Sequence, residues 1–160
     1  MKRVTSVAVQ KGVVSGYVHQ KITDTDGVIR NNIGKLAAVV VLKSDADKQL
    51  LSDVGKSIAM HIASASPTYL EKDDVPAEVA RKEKEVLKNQ ALEQGQDASK
   101  IDRIIEGRFN KYLKESVLYE QSYIMDSKKT IRSFIEEKSL EAGCDITIEK
   151  FVCFRLGEQG

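Results

Sequence analysis

The sequence predicts an α+β fold: a small antiparallel β-sheet covered by helices, with an antiparallel helical hairpin projecting from it. Three features carry this expectation. Valine-rich runs bounded by glycine or polar residues stand in the first part of the chain, and a strand of alternating apolar residues stands near its end. Between them, Leu50, Leu51, Val54, Ile58, Ile62 and Ala65 recur at helical spacing. Two further helical stretches, the first too polar to be enclosed by protein, follow each other across a short glycine-containing link and must lie antiparallel.

Taken in order, residues 4–10 and 13–19 read as short strands joined through Lys11-Gly12. Residues 20–32 contain Thr23, Asp24, Thr25, Asp26, Gly27, Asn31 and Asn32, which is turn chemistry and reads as an exposed loop. Residues 35–43 form a continuous apolar run between Gly34 and Ser44, and their length and valines favour a buried strand over a helix. Ser44 to Asp47 approximates a capping box and opens a helix that Pro67 ends. Pro76, just after Asp73 and Asp74, suits a first helical turn. The helix that follows has only the thin stripe Val79, Val86, Leu87 and Ala91, and Gly95 stops it. Ser99 starts its partner, where Ile101, Ile104, Ile105, Phe109, Tyr112, Leu113 and Val117 keep three-four spacing, so residues 74–118 read as the hairpin. Residues 121–129 read as a connector. Thr130 then caps a short helix using Ile131, Phe134 and Ile135, closed by Gly143. The last strand, 145–156, places Ile146, Ile148, Val152, Phe154 and Leu156 on the core face, with Lys150 out of pattern. Its other face then carries Phe151 and Cys153, more apolar area than a solvated face needs.

Composition bounds the function. The 160 residues suffice for one domain, 1–160, with a real core. With 25 basic and 24 acidic side chains the formal charge is +1, which does not mark a polyphosphate binder. No apolar run approaches a bilayer span, and the N-terminus has no apolar signal core. Two cysteines, Cys144 and Cys153, are too few for a disulfide scaffold, so a cytoplasmic location is expected.

Motifs for chemistry are weak. Of the two histidines, His61 sits on the first helix and is better read as a packing residue than a ligand. His19 ends a strand and is expected to be exposed. No metal site and no cofactor are expected. No glycine-rich phosphate loop is present, and neither cysteine has a histidine nearby in sequence. Lys82, Lys84 and Lys88 interleave with Glu83 and Glu85, a solvated face rather than a phosphate-binding stripe.

The residue strings are more specific than the periodicity. Gly16-Tyr17-Val18-His19, residues 35–42, Ile58-Ala59-Met60-His61-Ile62-Ala63, Asp73-Asp74-Val75-Pro76-Ala77-Glu78-Val79, Glu106-Gly107-Arg108 and residues 151–158 together resemble translation elongation factor Ts. The resemblance covers nearly the full length, to the second of the family's two core subdomains with its helical hairpin. It implies a protein that binds the GTPase elongation factor Tu and supports exchange of GDP for GTP during translation elongation, and that is not an enzyme. It implies partner contact at the histidine strand end, hence His19 with Tyr17 and Gly16 beside it, and pairing of two copies, for which Phe151 and Cys153 supply an apolar face. No direct contact with nucleotide, nucleic acid or membrane is implied. Against the family, these residues are expected to lack the helical N-terminal domain and the Thr-Asp-Phe wedge, and the loop after His19 is expected to be longer than usual. At the wedge's place stands Lys43-Ser44-Asp45-Ala46-Asp47. The chain is therefore expected to supply docking and dimerisation without the wedge. The rival readings are an RNA- or ribosome-binding helical hairpin and a small cysteine-dependent enzyme.

Overall fold

A computed structural model describes residues 8–23, 29–96 and 100–155. The valine-rich segments form β1 (Gly12–Thr23) and β2 (Ile29–Lys43), which pair antiparallel. β5 (Thr147–Arg155) adds to the other side of β2, giving a three-stranded antiparallel sheet in the order β1-β2-β5. Helix α1 (Lys48–Ala65) lies across one face of it. This is the expected α+β arrangement.

The buried row of β2, Ala38, Val40 and Leu42, meets Leu51, Val54, Ile58, Ala59 and Ile62 of α1. Burying large aliphatic side chains of this kind is worth about 1.5–3 kcal/mol each. Close approach of helix and sheet is set by Gly55. A Cβ built there would stand 2.3 Å from Ser15 Oγ on β1, so only hydrogen fits. The helix starts three residues later than its sequence signature indicates. Asp47, not Ser44, is the N-cap, its carboxylate accepting from the N–H groups of Gln49 and Leu50 at 2.9 and 3.2 Å. Ser44 is buried and accepts from Ala46 N–H instead.

Helices α2 (Ala77–Glu93) and α3 (Ile101–Ser116) form the hairpin. They share a small cluster of their own, Ala91, Ile101 and Ile105 with Leu87 and Ile104 against it, separate from the main core. Lys84 of α2 stands over the Phe109 ring of α3 at 4.7 Å, while Ala91 packs with Ile101 and Ile105, so the two helices run antiparallel. The hairpin returns to the body through the backbone: Thr68 and Tyr69 N–H both donate to Ser116 C=O at 2.9 and 3.0 Å. Ser99, expected to start the second helix, lies outside the described residues.

The connector holds a two-stranded ribbon, β3 (Ser122–Tyr123) and β4 (Asp126–Thr130). Helix α4 (Ile131–Ala142) follows, capped by the Thr130 hydroxyl and ended by Gly143 at φ 68°, as its sequence predicts. Ile131, Phe134 and Ile135 face the core.

Three expectations need correction. The first strand was placed at 4–10. Residues 1–7 lie outside the described ones, and residues 8–10 are not strand. The segment read as a loop is largely strand, because β1 runs to Thr23 and β2 begins at Ile29. Backbone pairing between the two strands continues past His19, with Lys21 opposite Gly34 and Thr23 opposite Ile29. Finally, Phe151 and Cys153 are not on the outer face of the last strand. Val41 pairs with Lys150 but Leu42 pairs with Ile148, so Glu149 is an extra residue on β5. That bulge reverses the alternation. Before it Ile148 faces the core, and after it Phe151 and Cys153 do, opposite Val40 and Ala38. Val152 and Phe154, expected inside, belong to the face that α1 does not cover.

Candidate functional site

Tyr17 and His19 lie on the α1 side of the sheet, opposite Ala38 and Leu36, and His19 does not end its strand as expected, because β1 runs on to Thr23. Tyr17 packs against the edge of the core, and His19 is exposed. Their rings stack with centroids 6.1 Å apart, and the Tyr17 hydroxyl lies 3.2 Å from His19 Nδ1. Gly16 is exposed too but belongs to the opposite face of the strand, across from Val39, so it does not share the surface of the other two.

Between this aromatic pair and α1 is a pocket of about 330 Å³ lined by Tyr17, His19, Leu36, Met60, Ala63, Ser64 and Ile124. Ile124 arrives from the turn between β3 and β4, whose other apolar residue, Met125, is 66% exposed. The sequence reading placed nothing functional there. The available signal was the pair Ile124-Met125 inside an otherwise polar connector.

Behind the pocket wall sits His61, 0% exposed. Its Nδ1 accepts the Ile124 N–H at 3.3 Å, so the ring proton is on Nε2, which donates to Gln121 Oε1 at 2.9 Å. Gln121 Nε2 in turn donates to the Glu115 carbonyl at 2.7 Å. Burial holds this imidazole below its ordinary value of 6.5, against a smaller upward pull from the Gln121 bond. The unfolded chain regains the ordinary value and takes the proton first, so stability is full above pH 6.5 and declines as pH falls below it. Thermal melts at about pH 7 and pH 5 should show a lower midpoint at the acid end. The drop should shrink in His61→Asn, which cannot titrate.

The remaining chemistry is structural. Among the described residues no group of three or more His, Cys, Asp and Glu side chains could hold a metal. The Cys144 thiol meets the Ser44 hydroxyl at 3.6 Å, and both nitrogens of the buried histidine are already engaged. On the hairpin, Arg81, Lys84 and Lys88 share a shallow groove with Glu85, Asp102 and Glu106, and Lys82 pairs with Glu78 at 2.8 Å. Mixed charge of this kind gives little net attraction for phosphate. No described helix is long and apolar enough to cross a membrane.

The described residues thus bring Tyr17 and His19 together over a small, mostly apolar pocket with Leu36, Met60 and Ile124, and leave Gly16 on the other face of the strand. The family model "Elongation factor TS" matches residues 1–158, and the chain belongs to that family. It is 36% identical over 159 residues to elongation factor Ts of Syntrophotalea carbinolica, covering 99% of this chain and 48% of that protein. It is 32% identical over 158 residues to the factor of Clostridium botulinum strain 657, again with 99% and 48% covered. The factor of Orientia tsutsugamushi matches at 35% over 150 residues, 94% of this chain and 46% of the relative. The chain thus spans about half the length of these relatives.

Proposed function

We propose that this chain is a docking domain for the GTPase elongation factor Tu, and that the Tyr17–His19 pair on β1 is its contact. The observation that carries the reading is the stacked aromatic pair beside the pocket that Ile124 closes. Aromatic side chains held against a rigid wall lose little freedom on binding, which is why they dominate interface energetics. The domain acts in the cytoplasm, by binding and not by covalent chemistry. In a complete exchange factor, tighter binding to the nucleotide-free GTPase lowers the affinity for nucleotide by the same factor. Calorimetric titration with elongation factor Tu tests the site. His19→Ala should weaken binding by about 1 kcal/mol or more, with stability within about 0.5 kcal/mol of the original. Unchanged affinity would remove His19 from the interface.

A second copy of the chain is proposed to cover the outer sheet face. Val14 (43% exposed), Val18, Val39 and Val152 line that face beside Val41, which is buried, and no described helix packs on it. Apolar area of this kind gains about 25 cal/mol per Å² when removed from water, before association costs. Phe151 and Cys153 no longer serve this pairing, because the bulge turns them inward. Sedimentation should show concentration-dependent dimers that Val152→Asp abolishes. A wild type that stays monomeric would rule out the pairing.

A further inference from the structure

Ile124 is on an exposed turn, yet its N–H points inward to His61 Nδ1. His61 is wholly enclosed and cannot touch a partner. Its ring lies 6.2 Å from Tyr123, which itself stacks on Phe134 at 4.5 Å, so the imidazole is wedged as well as hydrogen-bonded. An apolar side chain could fill this space, but it would leave both the Ile124 N–H and the Gln121 carbonyl oxygen without their present partner. The histidine therefore fixes the position of something, and the only part of the network that reaches the surface pocket is Ile124.

We propose that His61 is a positioning residue for docking of the GTPase: through the Ile124 N–H it holds the β3–β4 turn against the Tyr17–His19 pair and so shapes the pocket that the partner fills. The proposal rests on the reading of the Tyr17–His19 pair as the docking site. It separates the two ring nitrogens by role. Nδ1 serves the surface, by way of Ile124. Nε2 serves the interior, by way of Gln121 and the last turn of α3.

Two substitutions divide these roles. His61→Asn places an oxygen near the position of Nδ1 and gives up the Gln121 bond. His61→Gln reaches toward Gln121 and gives up the acceptor for Ile124. Both should lower the melting temperature by similar amounts. Titrated with elongation factor Tu, His61→Gln should bind about three- to tenfold more weakly, the cost of one lost hydrogen bond, while His61→Asn stays near wild type. The Ile124 cross-peak in ¹H–¹⁵N spectra of the full chain should move in His61→Gln and hold its place in His61→Asn. Equal affinity in both variants, whether weakened or not, overturns the proposal while a weakened His19→Ala keeps the docking site. Loss of effect in His19→Ala as well overturns the docking site itself. If neither His61 variant folds, the wild-type imidazole ¹⁵N spectrum decides: a proton found on Nδ1 overturns the proposal, because that nitrogen could not then accept from Ile124.

Discussion

A fluorescent GDP analogue bound to elongation factor Tu should leave at close to its unassisted rate when this chain is added. The expected acceleration is less than about tenfold, since each factor of ten requires about 1.4 kcal/mol of contact made only in the nucleotide-free state. Docking at the proposed Tyr17–His19 contact would supply affinity for both states of the GTPase and would not by itself discriminate between them. The resemblance sets residues 43–47 where an aromatic wedge is expected, and these residues have other engagements in this fold. Asp47 caps α1, Ser44 is buried against the core, and Asp45 pairs with Lys11 at 3.2 Å. None of them projects an aromatic ring. Stopped-flow release of the analogue is the measurement, and acceleration of a thousandfold or more would show that exchange does not need the wedge.

Replacement of Gly55 by alanine should destabilise the domain by about 1–3 kcal/mol, the usual cost of overpacking. The added Cβ would lie 2.3 Å from Ser15 Oγ and 2.6 Å from Ser15 Cβ, and Ser15 is a short buried side chain with nowhere to swing. The helix must therefore lift from the sheet, opening contacts along Leu51, Val54 and Ile58 together. A domain of this size loses about 2–4 °C of melting temperature per kcal/mol. The cause is checked by the double variant: Ser15→Gly should restore most of the loss in the Gly55→Ala background. If it restores none, the tight contact is not where the cost arises. Ser15→Ala alone should cost little, because the Ser15 hydroxyl is buried with no hydrogen-bond partner among the described residues.

The parts of this fold that were legible in the sequence are those where one period dominates. Ile58 and Ile62 repeat at helical spacing and are buried on α1, and Thr130 and Gly143 bound α4 because their caps are local chemistry. Cross-strand pairing is not local, and there the reading failed. Lys150 stood out of the alternation, but a single misplaced charge does not say whether the strand bulges or merely exposes a lysine. Only the partner residues Val41 and Leu42 settle it. The ribbon beyond His19 was invisible for the same reason, since its residues favour turns and their pairing is imposed by β2. At the proposed docking site, helical spacing marks His61 as a packed residue, but its tie to Ile124 joins positions 63 apart in the chain and leaves no trace in local spacing.

The hairpin's separate cluster has a further consequence. Only Ala91, Ile101 and Ile105 are buried along the two helices, and none of them belongs to the core under the sheet. Amide protons of Ala77–Glu93 and Ile101–Ser116 should therefore exchange with solvent through local opening, while those of β2 and α1 wait for the whole domain to unfold. Such two-tier protection makes the hairpin a segment that can be melted, clipped or reordered by whatever meets it while the sheet end stays intact.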